Sequence, residues 1–247
     1  GDLDLWVNGW FPLHNTYEPV FSAGAELVGS VADGGALEGY LVDRATAEEL
    51  EIASLEDFKR DEVKEAFDRN GDGRADMVAC PPGWGCEINI EHHMDAYELR
   101  DHITLIKAEY AASMADAIAA FGQGESILFY TWTPNWTVDT LKPGEDVVWI
   151  EVPEVDLPEE LMSLADAATL EGVAGCVNNP CKLGFPANDI RPVVNSTFLK
   201  ENPAIRSLLE TASLPIEDIF SQNAQMNDGE GNQSDVDRHA TEWIEAN

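Results

Sequence analysis

Met77-Val78-Ala79-Cys80-Pro81-Pro82-Gly83-Trp84-Gly85-Cys86 holds most of what the fold turns on. The first three residues read as a short apolar strand, the Pro-Pro-Gly run as a turn, and the residues beyond, about 88–102, as a helix. The same sequence of signals repeats downstream. A strand is predicted at 103–106, an Ala/Met-rich helix at 110–121 stopped by Gly122 and Gly124, and a strand at 126–130. Strands alternating with helices predict an α/β fold with a largely parallel or mixed sheet.

On either side, 5–7 reads as a strand running into a loop that carries Trp10, and 37–43 as a second strand. Thr46-Ala47-Glu48-Glu49 has the N-cap and acidic first turn of a short helix. Residues 54–67 read as one helix, 147–152 as a strand and 184–195 as extended chain. Proline near the first turn starts a helix at Asn202-Pro203, and helices at 216–225 and 235–246 close the chain. Ligands of such folds bind where loops leave strand ends. Trp84 sits in a strand-to-helix turn, and Trp132 follows the strand at 126–130.

The chain has 14 Lys+Arg against 47 Asp+Glu, a formal net charge of −33. That field repels phosphate backbones and anionic membrane surfaces, which removes nucleic acid from the partners to consider. The acid is spread along the chain, as on a solvated surface rather than a disordered tail. No apolar run approaches the roughly 20 residues of a membrane span. Gly1-Asp2-Leu3-Asp4 shows no signal-peptide features, so any such peptide is expected to have been removed. The cysteines form two close pairs, Cys80/Cys86 and Cys176/Cys181, neither of them CxxC. Two local disulfides and an oxidising compartment are expected.

Trp10, Trp84, Trp132 and Trp136 stand beside prolines or glycines in short rigid segments. Rings held on turns face whatever lies before the turn, and several together grip a soft cation by their negative faces. Gly85 and Cys86 open a helix whose first amides lack internal partners and carry the positive end of the dipole. They suit a carboxylate. His14, four residues after Trp10, is placed to donate a hydrogen bond to the same anion. Rings for a cation beside donors for an anion predict a zwitterionic quaternary ammonium ligand.

Five ordered motifs carry a resemblance: Trp-x-Pro-Leu-His at 10–14, Asn-Gly-Asp-Gly-x-Ala-Asp at 70–76, Pro-Gly-Trp-Gly-Cys-Glu at 82–87, Tyr-Thr-Trp-Thr-Pro-x-Trp at 130–136 and Pro-Gly-x-Asp-Val-Val-Trp at 143–149. Together they resemble the periplasmic glycine betaine-binding proteins of ProU-type osmoprotectant ABC importers. The resemblance implies an extracytoplasmic, two-lobed type II periplasmic-binding-protein fold, with mixed sheets flanked by helices and the ligand in the inter-lobe cleft. Residues 1–39 with 187–247 would form a terminal lobe and 40–186 a middle lobe. It implies a box of Trp10, Trp84 and Trp132 around the ammonium, with His14 and the amides of Gly85 and Cys86 on the carboxylate. Its disulfide falls on Cys80–Cys86, and a membrane permease is the implied partner. Trp136 is left to packing, and Cys176–Cys181 is expected to staple a surface loop. The strand–helix–strand unit that precedes the Trp10 segment in the family is missing here. The terminal lobe is therefore expected to be incomplete and prone to self-association.

Asp68, Asn70, Asp72 and Asp76, with Gly73 between them, match the first nine positions of an EF-hand-type loop, although Ala79 occupies position 12. They form a candidate calcium site that needs a further carboxylate. The competing ligands are proline betaine, dimethylsulfoniopropionate and choline. Choline, having no carboxylate, would leave His14 and the two amides without an anion. The competing class is a calcium-dependent secreted enzyme, but the chain contains neither G-x-S-x-G nor H-E-x-x-H. His92-His93 has no matching ligand pair and is expected to face solvent.

Overall fold

The run at 37–43 becomes an inner strand of the larger sheet, and all six of its strand residues are buried. The structure is a computed structural model and describes residues 3–247. Its strands are β1 (Leu5–Phe11), β2 (Ala25–Leu27), β3 (Ala32–Ala36), β4 (Glu38–Asp43), β5 (Ala75–Val78), β6 (Ile103–Ile106), β7 (Leu128–Trp132), β8 (Val147–Ile150), β9 (Thr169–Leu170), β10 (Cys181–Lys182) and β11 (Asn188–Asn195). Five of them form a mixed sheet in the order β6-β5-β7-β4-β8. β5 runs parallel to β6 and β7, and β4 antiparallel to β7 and β8. Parallel neighbours need crossovers, and the helices Gly85–Ala96 and Tyr110–Phe121 supply them. The main core, with Trp149, Tyr40, Phe58, Phe67 and Phe129 fully buried, packs around this sheet. Gly39 is required there, because a Cβ would stand 3.1 Å from Trp149 Cε3 and 3.2 Å from Leu183 Cδ2.

In the second sheet β11 pairs antiparallel with β1, β2 and β3. A bulge lies in β1 between Trp6 and Gly9. Gly9 fits it because a Cβ would come within 2.6 Å of the Arg191 carbonyl oxygen. Trp10 therefore lies on a strand, opposite Ile190, rather than on the loop expected for it.

Only Leu37 separates β3 from β4. Beside that crossing, Asn188 at the start of β11 donates through Nδ2 to the Glu38 carboxylate at 2.9 Å. The two sheets are thus joined by neighbouring chain segments and one buried polar pair.

Several helix limits differ from expectation, two of them through side-chain bonds. Asp43, not Thr46, caps the helix Arg44–Glu49, accepting from Thr46 N at 2.8 Å. Residues 54–67 are not one helix. A capping box between Ser54 and Asp57 closes a short turn over Leu55–Lys59, the chain extends at Arg60, and a helix resumes over Asp61–Phe67. The helix after the cysteine turn begins at Gly85 and ends at Ala96.

Candidate functional site

The turn at 80–86 is closed by the Cys80–Cys86 disulfide, with a Cα–Cα distance of 6.0 Å, and Gly83 takes φ 86° within it. Trp84 is the N-cap of the helix Gly85–Ala96 and has extended backbone; no side chain caps this end. Glu87 N is satisfied by Trp84 O at 3.1 Å. The N–H groups of Gly85 and Cys86 make no hydrogen bond among the described residues. Two free donors at the positive end of a three-turn helix form an anion cradle.

His14 reaches this cradle from the short 3₁₀ turn Leu13–Tyr17 that follows β1. Its Nδ1 accepts from Trp10 N at 2.9 Å, so in the neutral ring the proton sits on Nε2. Burial pushes the His14 pKa down to about 4, so the ring is neutral at pH 7. The ring stacks on Trp6 at 5.4 Å and an interplanar angle of 25°. A Cβ on Gly85 would lie 3.0 Å from His14 Nε2, which brings that nitrogen against the helix start. An Nε2–H and two backbone N–H groups therefore converge.

The rings gather beside them. Trp84 and Trp132 meet at 5.5 Å and 68°, Tyr110 and Trp132 at 4.8 Å, and Tyr130 and Trp132 at 6.0 Å. Trp84 is 45% exposed, which leaves its ring free to receive a ligand. Trp10, His14, Trp84, Gly85, Cys86 and Trp132, all six residues expected from sequence, line one cavity of about 570 Å³.

That cavity also holds residues which the sequence reading missed: Trp6, Tyr17, Glu38, Tyr130 and Asn223. Glu38 is 2% exposed and accepts hydrogen bonds from Tyr130 Oη and Asn188 Nδ2. Burial raises its pKa to about 7, against the opposing effect of those two donors. An acidic residue at the head of a buried strand was the available signal, since a buried carboxylate needs a reason. Trp6 offered only strand alternation.

Other expected features lie elsewhere. Trp136 begins the helix Trp136–Thr140 and packs half-buried against the main core, away from the cavity. Cys176–Cys181 is bridged, with Cys181 fully buried beside β9. His93 does not face solvent: it is fully buried, with Nδ1 bonded to Tyr40 Oη at 2.7 Å. His92 pairs with Asp156 at 2.9 Å. The expected calcium ligands Asp68, Asn70, Asp72 and Asp76 do not converge. Asp68 accepts from the backbone N–H groups of Gly71, Asp72 and Gly73, and Asp76 from those of Arg69 and Asn70. The loop's own amides thus use the oxygens. No cluster of three or more His, Cys, Asp or Glu among the described residues is arranged to hold a metal ion.

Residues 1–246 match the family described as the substrate binding domain of ABC-type glycine betaine transport systems, OpuAC. The chain belongs to this family. It is 39% identical over 247 residues to the glycine betaine-binding periplasmic protein OusX of Dickeya dadantii, covering all of this chain and 72% of that protein. It is 38% identical over 249 residues to the glycine betaine/proline betaine-binding periplasmic protein of Salmonella typhimurium, with the same two coverages. In fold it resembles a glycine betaine, L-proline ABC transporter binding protein, ProX, from Borrelia burgdorferi. The TM-score is 0.72 at 16% identity, over all of this chain and 76% of the other. The family consists of substrate-binding domains, so the chain is a binding protein and not an enzyme, and its fold is the α/β solute-binding fold of those relatives.

Proposed function

We propose that the chain is a periplasmic receptor that captures glycine betaine for an ABC importer, with its membrane permease as partner. One observation carries the reading. The three converging donors at His14, Gly85 and Cys86 share a cavity with the Trp84–Trp132 ring cluster. The ligand's carboxylate lies on the donors, and its trimethylammonium packs against Trp84 and Trp132, with Trp10 completing the box. The two sheets are read as two lobes, 1–39 with 187–247 and 40–186, that close on the ligand. Proline betaine has the same pair of charges and is the nearest alternative, and the Salmonella relative is named for both betaines.

Titration of the intrinsic tryptophan fluorescence tests the reading. Glycine betaine is expected to give a saturable change. Choline should bind more weakly because it leaves the donors without an anion, and glycine should give no change because it lacks the quaternary cation. Equal responses to glycine and glycine betaine would refute the proposal.

A further inference from the structure

We propose that Glu38 is a further ligand-positioning residue, the counter-charge for the ligand's cation; this rests on the betaine-binding reading above. Glu38 and Trp132 are direct partners across β4 and β7. Side chains opposite each other in an antiparallel pair share a face, with Cβ atoms about 4.5–5.5 Å apart. Tyr130, two residues before Trp132 and on the same face, donates its hydroxyl to Glu38. The second Glu38 oxygen accepts from Asn188. Both oxygens thus have donors that favour the ionised form, in a setting that is 2% exposed. Neither donor carries charge, and among the described residues no lysine or arginine lines the cavity. A buried carboxylate needs a cation, and the ligand's quaternary ammonium supplies one.

The titratable groups around it do not compete for that role. His14 and Tyr17 face the cavity from the 3₁₀ turn and Tyr130 from β7, while Tyr40 lies on β4 itself. His14 is neutral above about pH 4, and burial holds the hydroxyls of Tyr40 and Tyr130 in their neutral form. Glu38 alone changes charge near neutrality, since burial holds its pKa up to about 7. A cation beside it favours ionisation, so binding expels a proton. Affinity then rises as pH rises through that value.

Calorimetry with glycine betaine on the wild-type chain tests this. If Glu38 stays ionised in the complex, the Kd should tighten about tenfold between pH 6 and pH 8. Near pH 7 binding should release about half a proton, measured in buffers of different ionisation enthalpy. Glu38→Gln should flatten the profile and weaken glycine betaine and choline by similar factors, because the lesion lies at the cation end. Tyr130→Phe, which removes one donor to Glu38, should move the profile to higher pH and gives an independent reading should Glu38→Gln fold poorly. Wild-type binding of glycine betaine that is constant with pH and releases no proton would overturn the role of Glu38 while leaving the betaine reading intact. Absence of glycine betaine binding at every pH would overturn both.

Discussion

Gly85→Ala is the smallest change that tests how the site is built. The backbone at Gly85 does not have positive φ, so only space forbids a side chain. The added Cβ would stand 2.8 Å from His14 Cδ2, 3.0 Å from Nε2 and 3.3 Å from Leu13 Cδ2. Ordinary carbon contacts begin near 3.5 Å, so the ring would have to move by roughly half an ångström or more. It cannot move freely, because Nδ1 is held by Trp10 N and one face lies on Trp6. The shift would take Nε2–H off the ligand carboxylate, and a hydrogen bond to a charged group is worth about 1.5–3 kcal/mol. We therefore expect Gly85→Ala to weaken glycine betaine by about 10- to 100-fold at pH 7. Stability should not fall in parallel, since alanine is a better helix former than glycine by about 1 kcal/mol. The assay is calorimetric titration, with thermal unfolding measured on the same samples. In a double-mutant cycle, Gly85→Ala combined with His14→Ala should cost little more than either change alone. Full additivity, or wild-type affinity in Gly85→Ala, would refute the wedge.

Trp84→Ala and Trp132→Ala should each weaken glycine betaine at least about tenfold, desolvated cation–π contacts being worth up to about 2 kcal/mol apiece, whereas Trp136→Ala should alter stability rather than affinity. A titration in which Trp136 matters and Trp84 does not would reject the box. Replacing Cys80 and Cys86 together by alanine should cost roughly 2–2.5 kcal/mol of stability, from the small loop they close, and should also lower affinity, because the bridge sets the direction of Trp84 and of two amides; unchanged binding would count against that aiming role. Between pH 4.5 and 6.5 the ligand-free chain should gain stability as pH rises. The folded pKa values of His14 and His93 are depressed by burial to about 4 and about 3, so both take up a proton on unfolding, while Glu38, raised to about 7, releases one. Two taken up less one released leaves about one proton, or about 1.4 kcal/mol per pH unit, and Glu38→Gln should steepen the slope measured by denaturant unfolding.

The parts of the fold legible in the sequence were those fixed by local chemistry. Strand, turn and helix at 75–96 followed from an apolar run, a Pro-Pro-Gly turn and a free helix start, and Trp84, Gly85 and Cys86 came with them. β2 and β3 were not legible. Ala-Asp-Gly-Gly-Ala has no strand propensity of its own and is extended only because β11, far along the chain, pairs with it. The same cause hid His93, whose partner Tyr40 is 53 residues away, and Glu38, whose partners Tyr130 and Asn188 are 92 and 150 residues away. Pattern within a window cannot report such pairs.

Glu38 connects what was read with what was missed. The five-stranded sheet and its loops supply Trp84, Trp132 and Tyr130, whereas the four-stranded sheet and its following turn supply Trp6, Trp10 and His14. The groups proposed to hold the carboxylate are divided in the same way, His14 on one side and the amides of Gly85 and Cys86 on the other. The two sheets meet where Leu37 alone links β3 to β4, beside the bond from Asn188 to Glu38, and Asn188 Oδ1 in turn accepts from Leu13 N at 2.9 Å. One buried chain of bonds thus runs from Tyr130, under the ring cluster, through Glu38 and Asn188 to the residue before His14. A change of charge at Glu38 acts on the ring side directly and on the histidine side through Asn188, so the residue that answers the cation also helps to set the position of the donor that answers the anion.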